Sequence, residues 1–65
     1  MNNWIEISTQ ELPSFSEYGF HTGKLVDVRY ADGTEETTIY NGYGLFSIHD
    51  REDATHWRPN LSTNL

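Results

Sequence analysis

Residues 22–48 read TGKLVDVRYADGTEETTIYNGYGLFSI, and this stretch decides the fold. Runs of β-branched and aromatic residues are punctuated by Thr22-Gly23, Asp32-Gly33 and Asn41-Gly42, about ten residues apart. Two-residue loops of this kind match the right-handed twist of the strands they join. Asp-Gly and Asn-Gly tolerate the positive φ that such loops demand, whereas Thr22 is β-branched and resists it. The spacing predicts a mainly β, β-rich α+β domain: an antiparallel β-meander of three to five strands behind an N-terminal hook. The hook has room for one or two short helical turns.

Working outward, the chain divides into a hook over 1–16, the meander over 17–48, a charged loop over 49–53, a last strand over 54–59 and a frayed tail over 60–65. Ser8-Thr9-Gln10-Glu11 and Ser14-Phe15-Ser16-Glu17 each have the form of a capping box, and each leaves space for about one helical turn. The expected strands are 17–21, 24–31, 34–40 and 43–48. A two-residue loop at Asp32-Gly33 sets Arg29 opposite Glu36, Val28 opposite Thr37 and Val26 opposite Ile39. A second at Asn41-Gly42 sets Tyr40 opposite Tyr43, Thr38 opposite Leu45 and Thr37 opposite Phe46. One face then gathers Val26, Val28, Tyr30, Ile39, Phe46 and Ile48 as the core. The other carries Asp27, Arg29, Glu36, Thr38 and Ser47, with Leu25, Tyr40, Tyr43 and Leu45 at one end. A hairpin at Thr22-Gly23 adds Tyr18 and Phe20 to that end. Trp57 is expected near Trp4 or over the core.

Sixty-five residues make one domain, 1–65, near the lower size limit for independent folding. There is no cysteine, so no disulfide supports it. The opening Met1-Asn2-Asn3 lacks a basic, then apolar, leader, and the longest apolar runs are two or three residues. Both features favour a cytoplasmic location with no membrane span. Ten acids against four bases give a net charge of −6. That balance argues against direct contact with nucleic acid, which needs several Lys or Arg contacts to phosphate. It suits a partner protein with a basic surface, and it also serves plain solubility.

No constellation for catalysis stands in the sequence. Glu35 and Glu36 are adjacent on a strand and point to opposite faces, so they cannot share a substrate. His21, His49 and His56 have no ligand spacing, and the 49–53 loop lacks the order of a calcium loop. No enzyme activity, metal or cofactor is therefore expected. The two Trp, four Tyr and three Phe weigh more. Trp4 and Trp57 suit the core. Tyr18, Phe20, Tyr40 and Tyr43 are either core or binding surface, depending on whether the hook covers their end of the sheet. They are the candidate anchors of a partner site, with Asp27, Glu35, Glu36, Asp50, Glu52 and Asp53 supplying its negative potential.

Trp4-Ile5-Glu6-Ile7-Ser8, Leu12-Pro13 and Thr55-His56-Trp57-Arg58-Pro59 frame nearly the whole chain. The frame resembles a family of small phage and prophage proteins, domain of unknown function 551. Its members show Trp-Ile-x-x-Ser near the start, Leu-Pro soon after, a β-rich middle and a closing Thr-His-Trp-x-Pro. Asn60-Leu61 departs from the Leu-Pro that tends to follow, and the middle matches only as strands and turns. The family brings no active site. The resemblance implies a phage accessory protein acting in the cytoplasm of a bacterial host. The expected function is a non-enzymatic, monomeric or homodimeric inhibitor that docks on a host protein. Nucleic-acid-handling machinery or a defence complex is the favoured target, as for an anti-CRISPR protein. The alternative is a structural or assembly module that pairs through its sheet edge.

Overall fold

Val26–Tyr30 forms the central strand, and its Val-Asp-Val-Arg-Tyr alternation places every second side chain in the core. The computed structural model describes residues 3–8 and 12–61. Within them lie β1 (Ile5–Glu6), α1 (Phe15–Tyr18), a 3₁₀ turn (Phe20–Thr22), β2 (Val26–Tyr30), β3 (Glu35–Thr38), β4 (Tyr40–Gly42), β5 (Leu45–Phe46) and β6 (Ala54–Pro59). A four-stranded antiparallel sheet runs in the order β1-β6-β2-β3, and β4-β5 form a separate hairpin. Val26, Val28, Tyr30 and Trp57 from the sheet join Tyr40 and Phe46 from the hairpin in one buried cluster. Ile5, Ile7, Tyr18 and Ala54 pack at its margin. The architecture is mainly β, as the turn spacing predicts.

The first expected strand, 17–21, is helical. Ser14 O accepts from the N–H groups of Glu17 and Tyr18 at 3.0 and 2.8 Å, which starts a single turn after Pro13. Ser14 Oγ bonds Ser16 Oγ at 2.9 Å and not the helix N–H groups, so the capping box is not closed by its side chain. Thr22 Oγ1 donates to Gly19 O at 2.8 Å, and Gly23 ends the 3₁₀ turn at φ 75°. Thr22-Gly23 is thus a helix stop, the usual use of a left-handed glycine, and no hairpin closes there. Tyr18 and Phe20 accordingly do not face Asp27 and Leu25 across a ladder.

The loop at Asp32-Gly33 has three residues. Gly33 N donates to Tyr30 O at 2.9 Å, Tyr30 N donates to Thr34 O at 2.8 Å, and Gly33 sits at φ 87°. This is the pattern of a tight turn followed by a glycine bulge. The extra residue shifts the ladder by one, so Val26 faces Thr38, Val28 faces Glu36 and Arg29 faces Glu35. Each β3 side chain changes face relative to the two-residue reading. Thr38 is therefore buried, Ile39 is half-buried between strands, and Arg29 pairs with Glu35 rather than Glu36.

The second hairpin turns at Tyr43-Gly44, at φ 53° and 79°, with Tyr40 opposite Phe46 and Gly42 opposite Leu45. Asn41-Gly42 forms its arm instead of its tip. The pairs Tyr40–Tyr43, Thr38–Leu45 and Thr37–Phe46 do not form. Tyr40 enters the core, and Ser47 at φ 69° turns the chain so that Ile48 is left 79% exposed. The 49–53 segment is stitched back at Arg51, whose N–H donates to Phe46 O at 2.7 Å.

The closing strand lies where the pattern puts it, but in the middle of the sheet. Trp57 sits between Ile5 of β1 and Val28 of β2. The hook contributes an edge strand, so it extends the sheet and does not cross it. The capping form at Ser8-Thr9-Gln10-Glu11 lies outside the described residues, as does the tail beyond Leu61. Asn60 is no frayed residue: its Nδ2 donates to Asp27 Oδ1 at 2.7 Å.

Candidate functional site

The short helical segment and the β4-β5 hairpin together build an apolar end on the surface. Phe15 stands edge-on to Phe20 at 5.7 Å between centroids and to Tyr40 at 6.2 Å, with the His21 ring 5.3 Å away. Gly42 allows this approach, because a Cβ there would lie 3.2 Å from two Phe15 ring carbons. Leu12 approaches Gly44, and a shallow cleft of about 240 Å³ opens between Phe15, Gly42 and Tyr43. Phe20 is 61% exposed and Tyr43 is 99% exposed.

Tyr43 is the unusual member. A bulky side chain at φ 53° occupies the left-handed region that asparagine and glycine normally fill, at a cost of about 1–2 kcal/mol. Its ring is fully in solvent, so the fold gains no packing in return. The four expected aromatic anchors thus divide. Tyr43 and Phe20 are presented to solvent, Tyr18 is half-buried against Trp57 at 5.6 Å, and Tyr40 is buried with its hydroxyl accepting from Gly44 N at 3.0 Å. Leu12, Phe15 and Ile48 belong to the exposed apolar set and are not legible as such from strand patterning. For Phe15, the one-turn helix signal at Ser14–Glu17 is the available clue.

The acids occupy other ground. Asp27 lies on the outer sheet face, where burial raises its pKa but hydrogen bonds from Asn60, Thr37 and Arg58 outweigh it and hold the carboxyl below its ordinary value. Arg58 Nε is 3.1 Å from Asp27 Oδ2, and Arg29 Nε is 3.0 Å from Glu35 Oε2. The two guanidiniums lie 4.1 and 4.5 Å from the Trp4 ring, pinning β1 to the sheet by cation–π contact. Glu36 accepts from the Tyr30 hydroxyl; burial and this carboxylate raise the phenol's pKa. Arg51 lies 3.6 Å over the Tyr30 ring and bonds Asp53 at 2.6 Å and Asp32 at 3.4 Å. Asp50 accepts from Asn41 Nδ2 at 2.6 Å, and Glu52 is exposed.

Every basic side chain therefore has an internal neighbour: Lys24 over the Tyr18 ring at 5.9 Å, and the three arginines on carboxylates. The acidic excess is what remains for solvent. Among the described residues no three His, Asp or Glu side chains stand close enough to hold a metal ion, and no helix is long and apolar enough to cross a membrane. No protein family, curated protein or solved structure matches the chain.

Proposed function

We propose that the chain is a non-enzymatic, acidic accessory protein of phage type that docks on a host protein through the hairpin tip and inhibits it. The observation that carries this reading is Tyr43, held in a strained left-handed conformation with its ring 99% exposed. Strain retained without packing return is characteristic of contact residues. Tyrosine is also among the residues that dominate interface energy. Phe20, Phe15 and Leu12 extend the apolar ground beside it. The acidic excess favours a partner with a basic surface, such as nucleic-acid-handling or defence machinery, and steers the encounter more than it holds the complex. The phage setting and the bacterial host rest on the resemblance of the chain ends, and the choice of a defence complex as target, as for an anti-CRISPR protein, rests also on the acidic charge and the exposed aromatic end.

The assembly reading has one observation in its favour: among the described residues β3 pairs with β2 alone, which leaves its outer edge without a strand partner there. Glu35 and Glu36 on that strand set like charges against a second copy, a common way of blocking edge pairing. The deciding experiment immobilises the parent and Tyr43→Asn in parallel and passes a bacterial lysate over both. A protein retained by the parent and lost with the variant supports docking at the tip. Equal capture by both moves the site away from Tyr43 and favours the β3 edge.

A further inference from the structure

Asn41 is the one asparagine of the chain followed by glycine. Its side chain is half-buried at the base of the β4-β5 hairpin. Nδ2 donates to Ser47 O and, at 2.6 Å, to Asp50 Oδ1. Both neighbours are acceptors, so only an amide nitrogen satisfies the position. Ser47 and Asp50 are themselves held at positive φ, 69° and 52°. The amide thus ties the hairpin to the turn that follows it.

We propose that Asn41-Gly42 is a spontaneous deamidation site that the native fold guards, and that its conversion unlatches the hairpin. In the reaction the Gly42 backbone nitrogen loses its proton and attacks the Asn41 side-chain carbonyl carbon. A C–N bond forms, the bond to Nδ2 breaks, and Nδ2 leaves as ammonia with a proton from water. Water then opens the cyclic imide at either carbonyl, giving aspartate or isoaspartate. Glycine at the following position is what makes the attack easy, since no side chain shields its nitrogen. The folded hairpin opposes it by fixing both the amide and the Gly42 backbone. The product replaces a two-bond donor with a carboxylate facing Ser47 O and the Asp50 carboxylate. That places three acceptors together with no proton among them, at a half-buried position where the amide had bonded two of them. This inference holds whatever the hairpin binds.

The test incubates the intact protein in mildly alkaline buffer, with and without urea sufficient to unfold it, and follows each asparagine by peptide mass mapping. Asn60, followed by Leu61, is the internal comparator. Conversion at Asn41 is expected to be about tenfold slower or more in the folded protein, because reaction proceeds through opened forms. Equal rates in the two conditions overturn the guarding. In parallel, Asn41→Asp should lower the melting temperature and shift the Tyr43 and Gly44 amide resonances, and adding Asp50→Asn should recover part of both, since an amide at position 50 then donates to the carboxylate at 41 while Ser47 O still lacks its donor. A single variant that melts like the parent overturns the latch. If Asn41→Asp does not fold, the double variant must; failure to recover also overturns it.

Discussion

Asp27 and Arg58 face one another across the two central strands, carboxylate to guanidinium at 3.1 Å, on the sheet face opposite the core. The pair gathers Thr37 from β3 and Asn60 from beyond β6 onto the same carboxylate. Its folded pKa lies below the unfolded one. The stabilisation is therefore fully present above the ordinary aspartate range and is lost as pH falls through the depressed folded value. Asp27→Asn should cost about 1–2 kcal/mol at neutral pH and flatten the acid limb of the stability curve. Urea titrations at a series of pH values, read by tryptophan fluorescence, check both.

The core makes a harsher demand. Phe46 and Val28 are fully buried, one on the hairpin and one on the central strand. Truncating either to alanine should cost roughly 2–4 kcal/mol, enough to unfold much of a domain this small. Loss of the cooperative thermal transition is the expected outcome.

Tyr43→Asn should do the opposite. Asparagine accepts positive φ, and Asn-Gly is the preferred dipeptide for this turn, so a gain of about 0.5–1 kcal/mol is expected. A stability gain with loss of lysate capture separates contact from folding.

Gly42 supports Phe15 by lacking a side chain. Gly42→Ala adds a Cβ 3.2 Å from the ring at φ 92°, combining backbone strain with a close contact. A destabilisation of about 1–3 kcal/mol is expected. Displacement of the Phe15 ring, followed by its nuclear Overhauser contacts to Tyr40, accompanies it.

Charge should act on encounter. Glu17 and Glu52 are exposed and take no part in the sheet's ion pairs, so neutralising both spares the fold. Once a partner is in hand, the double variant should associate more slowly and with weaker salt dependence, while dissociation stays unchanged. Stopped-flow measurements over a salt series distinguish the two rates.

Strands β2 and β6 were legible because alternation and terminal punctuation are local properties, and Val26, Val28 and Trp57 fall in the core accordingly. The turns were harder. Asp32-Gly33 serves a two- or a three-residue loop equally well, and one residue of difference moved Thr38 inward and Arg29 onto Glu35. Asn41-Gly42 has the better turn chemistry, yet Asn41 spends its side chain on Ser47 and Asp50, contacts that no local pattern encodes. The same displacement separated Tyr40 from Tyr43 and sent one aromatic into the core and the other into solvent. Trp4 under two arginines had no signal at all, since its partners lie 25 and 54 residues along the chain.

The central position of β6 has a consequence for how this fold comes into being. β2 and β3 can meet early through a short loop, but the strand that separates β2 from β1 is the last of the six to be synthesised. Until it arrives, β2 offers a bare edge and the core lacks Trp57. Assembly is then a single late zippering event, in which Trp57 must find Val28 and Ile5 together. Such long-separation pairing folds slowly for its size and leaves the nascent chain exposed to stray strand pairing until that moment.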